Sequence, residues 1–197
     1  MDKPQTYIFI GISGSGKGTQ INLLKNHIAK INPEIDSYSF VMGDTLRSFM
    51  KDDGYAQNMI KEITNQGLLV PDLITNSLFV SELLSSLKPT ENLFIDGIPR
   101  SINQAQAIIE FMNFYNRSEV VIINIEVGQD EAKKRMLLRK RPDDNEDSIN
   151  ERFNFYKNNV LPAIEYLKEK SDFKYILIDG EKTIEEIHLD ILKSLNL

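Results

Sequence analysis

The sequence predicts an α/β fold in which helices cover both faces of a five-stranded parallel sheet, and three observations carry that expectation. Short stretches rich in Ile, Val, Phe and Tyr at about 7–10, 36–41, 92–96, 119–127 and 173–179 read as strands, with helical patterns between them. The runs 92–96 and 120–125 are nearly all apolar, as strands covered on both faces are. The first strand also runs directly into a glycine-rich turn and then a helix. Alternation of this kind implies a doubly wound, three-layer arrangement with ligands held beyond the carboxyl ends of the strands.

The turn reads Gly11-Ile12-Ser13-Gly14-Ser15-Gly16-Lys17-Gly18-Thr19-Gln20. Glycines at 11, 14, 16 and 18 free the backbone to take positive φ and to bring its N–H groups up to a polyanion. The helix that follows aims its partly positive N-terminus at the same place. Its buried face is marked by Ile21, Leu24, Ile28 and Ile31. Gly11, four residues and then Gly16-Lys17 is the spacing of a P-loop, with Gly18 where the common pattern has Ser or Thr. Lys17 supplies a mobile charge for the β- and γ-phosphates of a nucleotide, and Thr19 a hydroxyl near Mg²⁺. A plain Gly/Ser turn would account neither for the apolar strand before it nor for the buried helix face after it.

At 197 residues and 41% hydrophobic, the chain fills one core, so a single domain covering 1–197 is expected. There is no cysteine, hence neither a disulfide nor a thiolate zinc clip, which suits a reducing cytoplasm. No apolar run approaches the roughly 18 residues of a membrane span, and residues 1–20 do not read as an export signal. A net charge of −6 argues against a nucleic-acid coat, so any phosphate site is made locally. The chain has 16 lysines but only seven arginines, and four of those fall between 135 and 152. Arginines so concentrated are candidates for planar, bidentate grips on phosphate.

The remaining chemistry should follow the strands. After the second come helices at about 44–51 and 55–66, stopped by Gly67, so that 42–71 reads as a helical insertion. Pro71 opens a further helix to about Leu87. Asp96 closes the third strand, where a carboxylate facing a P-loop holds Mg²⁺, often through water. A helix from Asp130 carries Arg135 and Arg139 on one face, ahead of Arg141 and Pro142. Asp143-Asp144-Asn145 makes a turn, and Ser148 with Glu151 forms a capping box near the start of the helix that bears Arg152. The group reads either as a charged hairpin with surface ion pairs or as an arginine clamp on a transferring phosphoryl group. Pro162 should kink its helix near Asn158, and His27 and His188 are expected at the surface.

Taken together, the blocks resemble the adenylate kinase family, in the family's order and over nearly the whole chain. They are Gly11-x-x-Gly14-x-Gly16-Lys17-Gly18-Thr19-Gln20, Gly43-Asp44-x-Leu46-Arg47, Gly67-x-Leu69-Val70-Pro71, Asp96-Gly97-x-Pro99-Arg100-x-x-x-Gln104, and Arg135-x-x-x-Arg139 with Arg141-x-Asp143-Asp144-Asn145 and Arg152. Six of the seven arginines fall on motif positions; Arg117 is the exception, and its replacement should be nearly silent.

The resemblance implies a Mg²⁺-dependent kinase running ATP + AMP ⇌ 2 ADP, as a cytoplasmic monomer with no nucleic-acid or membrane partner. By it, Gly14, Ser15, Gly16, Lys17, Gly18 and Thr19 hold the ATP phosphates, while Lys17 stabilises charge as the γ-phosphoryl moves. Arg139 contacts the ATP phosphates, Arg135 lies against the ATP adenine, and backbone near Lys182 meets that base's edge. Arg47 and Arg100 grip the AMP phosphate, and Arg141 and Arg152 bridge acceptor and transferring phosphate. Met42, Leu68, Leu69, Val70, Gly97, Ile98 and Pro99 border the AMP site within a mobile part at about 42–71, and Gln104 reads adenine N1 and its 6-amino group together. Thr19 and Asp96 hold Mg²⁺, and no zinc site is expected.

Three departures stand out. Ser13 occupies the family's usual proline position, and Met42 stands where adenylate kinases usually have Thr or Ser and pyrimidine relatives often have Ala. Between Arg139 and Arg141 there is one residue where the family has several or a small domain, so the lid, at about 139–144, is little more than a helix–turn–helix tip. The alternatives are a UMP/CMP kinase of the same fold and a catalytically inactive nucleotide-binding module.

Overall fold

The computed structural model of the chain describes residues 3–66, 68–139 and 145–197. Among these, β1 (Thr6–Ile10), β2 (Ser37–Val41), β3 (Asn92–Asp96), β4 (Val120–Glu126) and β5 (Lys174–Asp179) form one parallel sheet in the order β2-β3-β1-β4-β5. Every strand lies within a residue of the stretch that its apolar run marks. The helices are α1 (Lys17–Ile31), α2 (Met42–Phe49), α3 (Tyr55–Asn65), α4 (Asp72–Ser86), α5 (Ile102–Phe114), α6 (Gln129–Arg139), α7 (Glu146–Phe155), α8 (Leu161–Lys170) and α9 (Ile184–Leu195).

Side chains alternate across the sheet, so each strand feeds two cores. Tyr7 and Phe9 of β1, with Phe94 and Ile123, face a layer made by α1, α6, α7 and α9. Ile8 and Ile10, with Ile95 and Ile122, face α4, α5 and α8. Each large apolar side chain so buried contributes about 1.5–3 kcal/mol. Phe9 pairs with Asp96, and Asp96 with Val41, so the carboxyl ends of β1, β3 and β2 open at one rim.

Several local expectations change. The helix expected from residue 44 begins at Met42, directly on β2, because Met42 itself is buried and roots the first turn in the core. Pro71 caps α4 from outside, its carbonyl accepting from the N–H groups of Ile74 and Thr75. At α7 the capping box expected at Ser148 and Glu151 is replaced by Asn145, whose Oδ1 accepts from Ser148 N–H at 2.9 Å. The helix starts at Glu146, and Asn145 sits just ahead of it, where its side chain reaches the third N–H.

A capping box does occur at Thr183 and Glu186, which open α9. The break expected from Pro162 takes the form of one π turn, Tyr156–Val160, between α7 and α8. Proline has no N–H to return to Asn158, and the wider turn absorbs the missing bond. His27 and His188 are half-buried against each other where α1 packs on α9, with ring centroids 6.0 Å apart. No helix among the described residues is long and apolar enough to cross a membrane.

Candidate active site

β1 delivers the chain into the loop at 11–16, whose shape depends on glycine. Gly14 has φ +88°, and a Cβ there would sit 2.5 Å from the Ala132 carbonyl oxygen of α6, so no other residue fits. Gly11 and Gly16 also take positive φ, but Gly18 does not: it is the second residue of α1, with open space where a Cβ would be. α1 begins with no side-chain cap and no acid in its first turn. Its leading N–H groups therefore face the loop's concavity, an arrangement that seats an anion.

Lys17 folds back over the loop, donating to the carbonyls of Gly11 at 2.7 Å and Ile12 at 3.1 Å and to Ser15 Oγ at 3.4 Å. Burial of the ammonium draws its pKa down to about 8, with Asp96 opposing and Arg100 and Arg139 adding to the depression. Arg100 is likewise pulled below its ordinary value, by burial first, with Asp96 opposing and Arg152 adding. Lys17 is thus within electrostatic reach of Asp96, Arg100 and Arg139, and Arg100 within reach of Asp96 and Arg152. Cations brought this close together favour an anion among them.

The rim of β3 sets this up. Gly97, at φ +87°, turns the chain, and Arg100 Nε returns to the Gly97 carbonyl at 2.8 Å. Asp96 is half-buried at the strand's end, and Thr19 is exposed in the first turn of α1. A carboxylate and a hydroxyl are hard oxygen donors, too few to cage a cation alone. They suit Mg²⁺ that keeps water and phosphate oxygens in its shell.

On the far side, Arg135 donates from Nε to Glu131 Oε1 at 2.8 Å and from Nη1 to the Gly180 carbonyl at 2.9 Å. Glu181 Oε1 accepts from Gly128 N–H at 3.0 Å, so α6 and the turn after β5 are tied twice. Lys182 lies on that turn, its Nζ on Asp190 at 2.7 Å. Arg135 and Lys182, far apart in sequence, therefore share one neighbourhood.

At the other rim, Leu68 and Leu69 are exposed by 60% and 47%, while Val70, Ile98 and Pro99 are buried. Met42 is only 1% exposed, so it backs the site from within the core. Arg47 pairs with Asp44 one turn earlier on α2. Gln104 Oε1 accepts from Arg100 N–H at 2.6 Å, and its Nε2 donates to Asp72 Oδ1 and Thr75 Oγ1, each at 3.0 Å. Reading N1 and the 6-amino group of adenine at once requires a free amide hydrogen, and in this arrangement both are engaged. Arg141, Asp143 and Asp144, which belong to the lid expected at about 139–144, lie outside the described residues, as does Gly67.

Sequence reasoning missed Asp72, Thr75 and Glu131. It also missed Glu82, which accepts from Tyr38 Oη at 3.0 Å and Thr45 Oγ1 at 2.6 Å and so ties α2 to α4. Only Glu131 left a signal, its i,i+4 spacing to Arg135.

A parallel sheet with this strand order, a glycine loop feeding α1, and cations gathered at the loop's mouth define a P-loop phosphotransferase. The adenylate kinase family model matches residues 9–172. Adenylate kinase from Helicobacter pylori (strain ATCC 700392 / 26695) is 37% identical over 187 residues, covering 93% of this chain and 92% of its own. Adenylate kinases from Prochlorococcus marinus (strain MIT 9515) and Parabacteroides distasonis are 35% and 34% identical, covering 90% and 96% of this chain and 92% and 96% of their own. The chain belongs to the adenylate kinase family, whose reaction is phosphoryl transfer from ATP to AMP.

Proposed function

We propose that the convergent cations hold the triphosphate of Mg-ATP end to end with the phosphate of AMP, and that this chain runs ATP + AMP ⇌ 2 ADP. The observation that supports the reading is the chain of electrostatic reach that links Lys17 to Asp96, Arg100 and Arg139, and Arg100 to Asp96 and Arg152, beside the glycine loop. An oxygen of the AMP phosphate attacks the γ-phosphorus, the bond from that phosphorus to the β,γ-bridging oxygen breaks, and both products leave as ADP. The acceptor oxygen is already ionised, so no protein base is needed, and catalysis is positioning plus charge stabilisation.

In this scheme Gly14, Ser15, Gly16, Gly18 and Thr19 seat the ATP phosphates, and Lys17 releases the loop carbonyls to follow the moving charge. Arg139 meets the ATP phosphates, and Arg135 and the backbone near Lys182 border the ATP base. Arg47 and Arg100 hold the acceptor phosphate, Arg152 and Arg141 span the two, and Met42, Leu68, Leu69, Val70, Gly97, Ile98, Pro99 and Gln104 border the acceptor base. Thr19 and Asp96 would hold Mg²⁺ through water, and the ion would supply neutralising charge to the phosphates. Residues 42–71 form the moving acceptor side and 139–144 a short lid that expels water on closure. A cytoplasmic monomer completes the proposal, and the cysteine-free chain is consistent with a reducing compartment.

The test is an acceptor panel: purified protein, Mg-ATP and, separately, AMP, UMP, CMP or GMP, with ADP and the acceptor diphosphate followed by chromatography. Transfer to AMP far above the others is the expected result. Preference for UMP or CMP would move the substrate assignment to the pyrimidines, and ATP binding without transfer to any acceptor would leave a nucleotide-binding module.

A further inference from the structure

From Glu146 to Lys170 the chain runs as α7, one π turn and α8, and its two halves serve opposite faces of the sheet. Ile149 and Phe153 of α7 are buried in the core shared with α1, α6 and α9, whereas Ala163, Ile164 and Leu167 of α8 are buried in the core shared with α4 and α5. The crossing falls on the π turn, whose first residue, Tyr156, packs against both cores. A π turn takes in one residue more than an α turn, and one residue is about 100° of helix rotation. With α8 fixed in its own core, the turn therefore sets the direction in which α7 presents Arg152. The Tyr156 N–H returns to the carbonyls of Arg152 and Phe153, so the two residues are one helical turn apart.

The sheet braces this turn. Asn124, 5% exposed, lies opposite Ile10, the last residue of β1 before the glycine loop. Its Nδ2 donates to Tyr175 Oη of β5 at 2.9 Å, and Lys168 Nζ of α8 stands 4.1 Å from the centre of the Tyr175 ring. The Tyr156 phenol is within hydrogen-bond reach of the same Asn124 side chain, and burial first, then Tyr175 and Glu126, push its pKa up to about 12. It therefore keeps its proton and can donate. Asn124 Oδ1 is buried without a partner, and the protonated phenol is a donor that suits it. In a strand otherwise rich in Val and Ile, a buried amide costs stability unless its polar atoms are engaged.

We propose that Tyr156, braced by Asn124, is a positioning residue that fixes the rotation of α7 and so holds the Arg152 guanidinium in place for the transferring phosphoryl group. The inference rests on the reading, above, that Arg152 spans the acceptor and transferring phosphates. Arg152 is within electrostatic reach of Arg100, so two like charges must be kept together before the anion arrives, and a helix free to turn would let them part. A guanidinium displaced by about 1 Å costs up to about a hundredfold in rate. The seats of the ATP phosphates, on the glycine loop and α1, do not depend on that rotation.

The experiment is a double-mutant cycle on kcat with both nucleotides saturating. Tyr156→Phe, Tyr156→Leu and Asn124→Ala are each made alone and combined with Arg152→Ala, with ATP affinity and melting temperature measured on every variant. Tyr156→Phe, which keeps the ring, should lower kcat about tenfold, and Tyr156→Leu, which loses the ring as well, about a hundredfold. Asn124→Ala should resemble Tyr156→Phe, and ATP affinity should stay within about twofold throughout. In the Arg152→Ala background the same substitutions should each change kcat by less than about twofold, because the group they position is gone.

Tyr156 variants that keep the wild-type kcat, or that lower it by the same factor in both backgrounds, overturn the inference while leaving the AMP kinase reading intact. An Arg152→Ala protein that turns over like wild type overturns the assignment of Arg152 and the inference with it, and wild-type protein that transfers nothing to AMP overturns the whole reading.

Discussion

Lys17 donates its ammonium to the Gly11 carbonyl at 2.7 Å, across the glycine loop that the proposal gives to the phosphates of ATP. A phosphate that takes over that bond brings negative charge to a lysine whose pKa burial has drawn down to about 8. Binding then raises the pKa, and protein that has lost the proton binds less well. ATP affinity should be level below pH 8 and weaken above it, by about tenfold per pH unit until the bound-state pKa is reached. Isothermal titration at pH 7 and again above pH 9 checks this, with Lys17→Met as the variant expected to show weak, pH-independent binding. A wild-type affinity that holds steady across the range would contradict it.

Arg117 is the arginine no motif claims, and the expectation that its loss is silent needs revision for stability. Its Nε donates to Thr6 Oγ1 at 2.7 Å, and its Nη2 to the carbonyls of Gln5 at 3.0 Å and Glu91 at 2.9 Å. One guanidinium therefore stitches the amino ends of β1 and β3, at the edge of the sheet opposite the P-loop. Arg117→Ala should cost about 2–3 kcal/mol, a fall of about 4–12 °C in melting temperature. Turnover measured well below that transition should stay near wild type. A melting temperature unchanged within error would show that these bonds add nothing.

His188 gives a pH signature to folding. Burial, and then the neighbouring His27, hold its pKa below the ordinary value, and its Nδ1 is buried without a partner. The folded chain therefore keeps His188 neutral to lower pH than the unfolded chain, which takes up a proton at about 6.5. The stability linked to this residue is complete above about pH 6.5 and is lost as the pH falls below it. Urea unfolding at pH 7 and pH 5 should show a smaller acid loss for His188→Leu than for wild type. Equal losses would place the acid sensitivity elsewhere.

The strands were legible because the runs at 92–96 and 120–125 leave no polar face. The phosphate loop was legible because its chemistry is written in ten consecutive residues. What escaped is the set of contacts between elements that are individually unremarkable. Asp72 meets Gln104 across 32 residues, Glu82 meets Thr45 across 37, and Arg117 meets Thr6 across 111. No period or spacing records such pairs, because each depends on how two helices or strands are set on the sheet. Gln104 marks the boundary: its motif makes it a candidate for the acceptor site, but the direction of its carboxamide follows from Asp72, which read only as part of a helix. Asn145 shows a smaller version of the same limit, capping α7 in place of the Ser148 and Glu151 pair because helix starts shift by a turn without altering the apolar pattern.

The most direct measurement is the rate of phosphoryl transfer from Mg-ATP to AMP by wild type and by Arg100→Ala, both nucleotides saturating. Arg100 lies within electrostatic reach of Asp96 and Arg152, and the proposal gives it the acceptor phosphate. Its loss should lower kcat by about 10³- to 10⁵-fold, with the unfolding midpoint and ATP affinity nearly unchanged. A loss of less than about tenfold would contradict the assignment of the convergent cations to the transferring phosphoryl group.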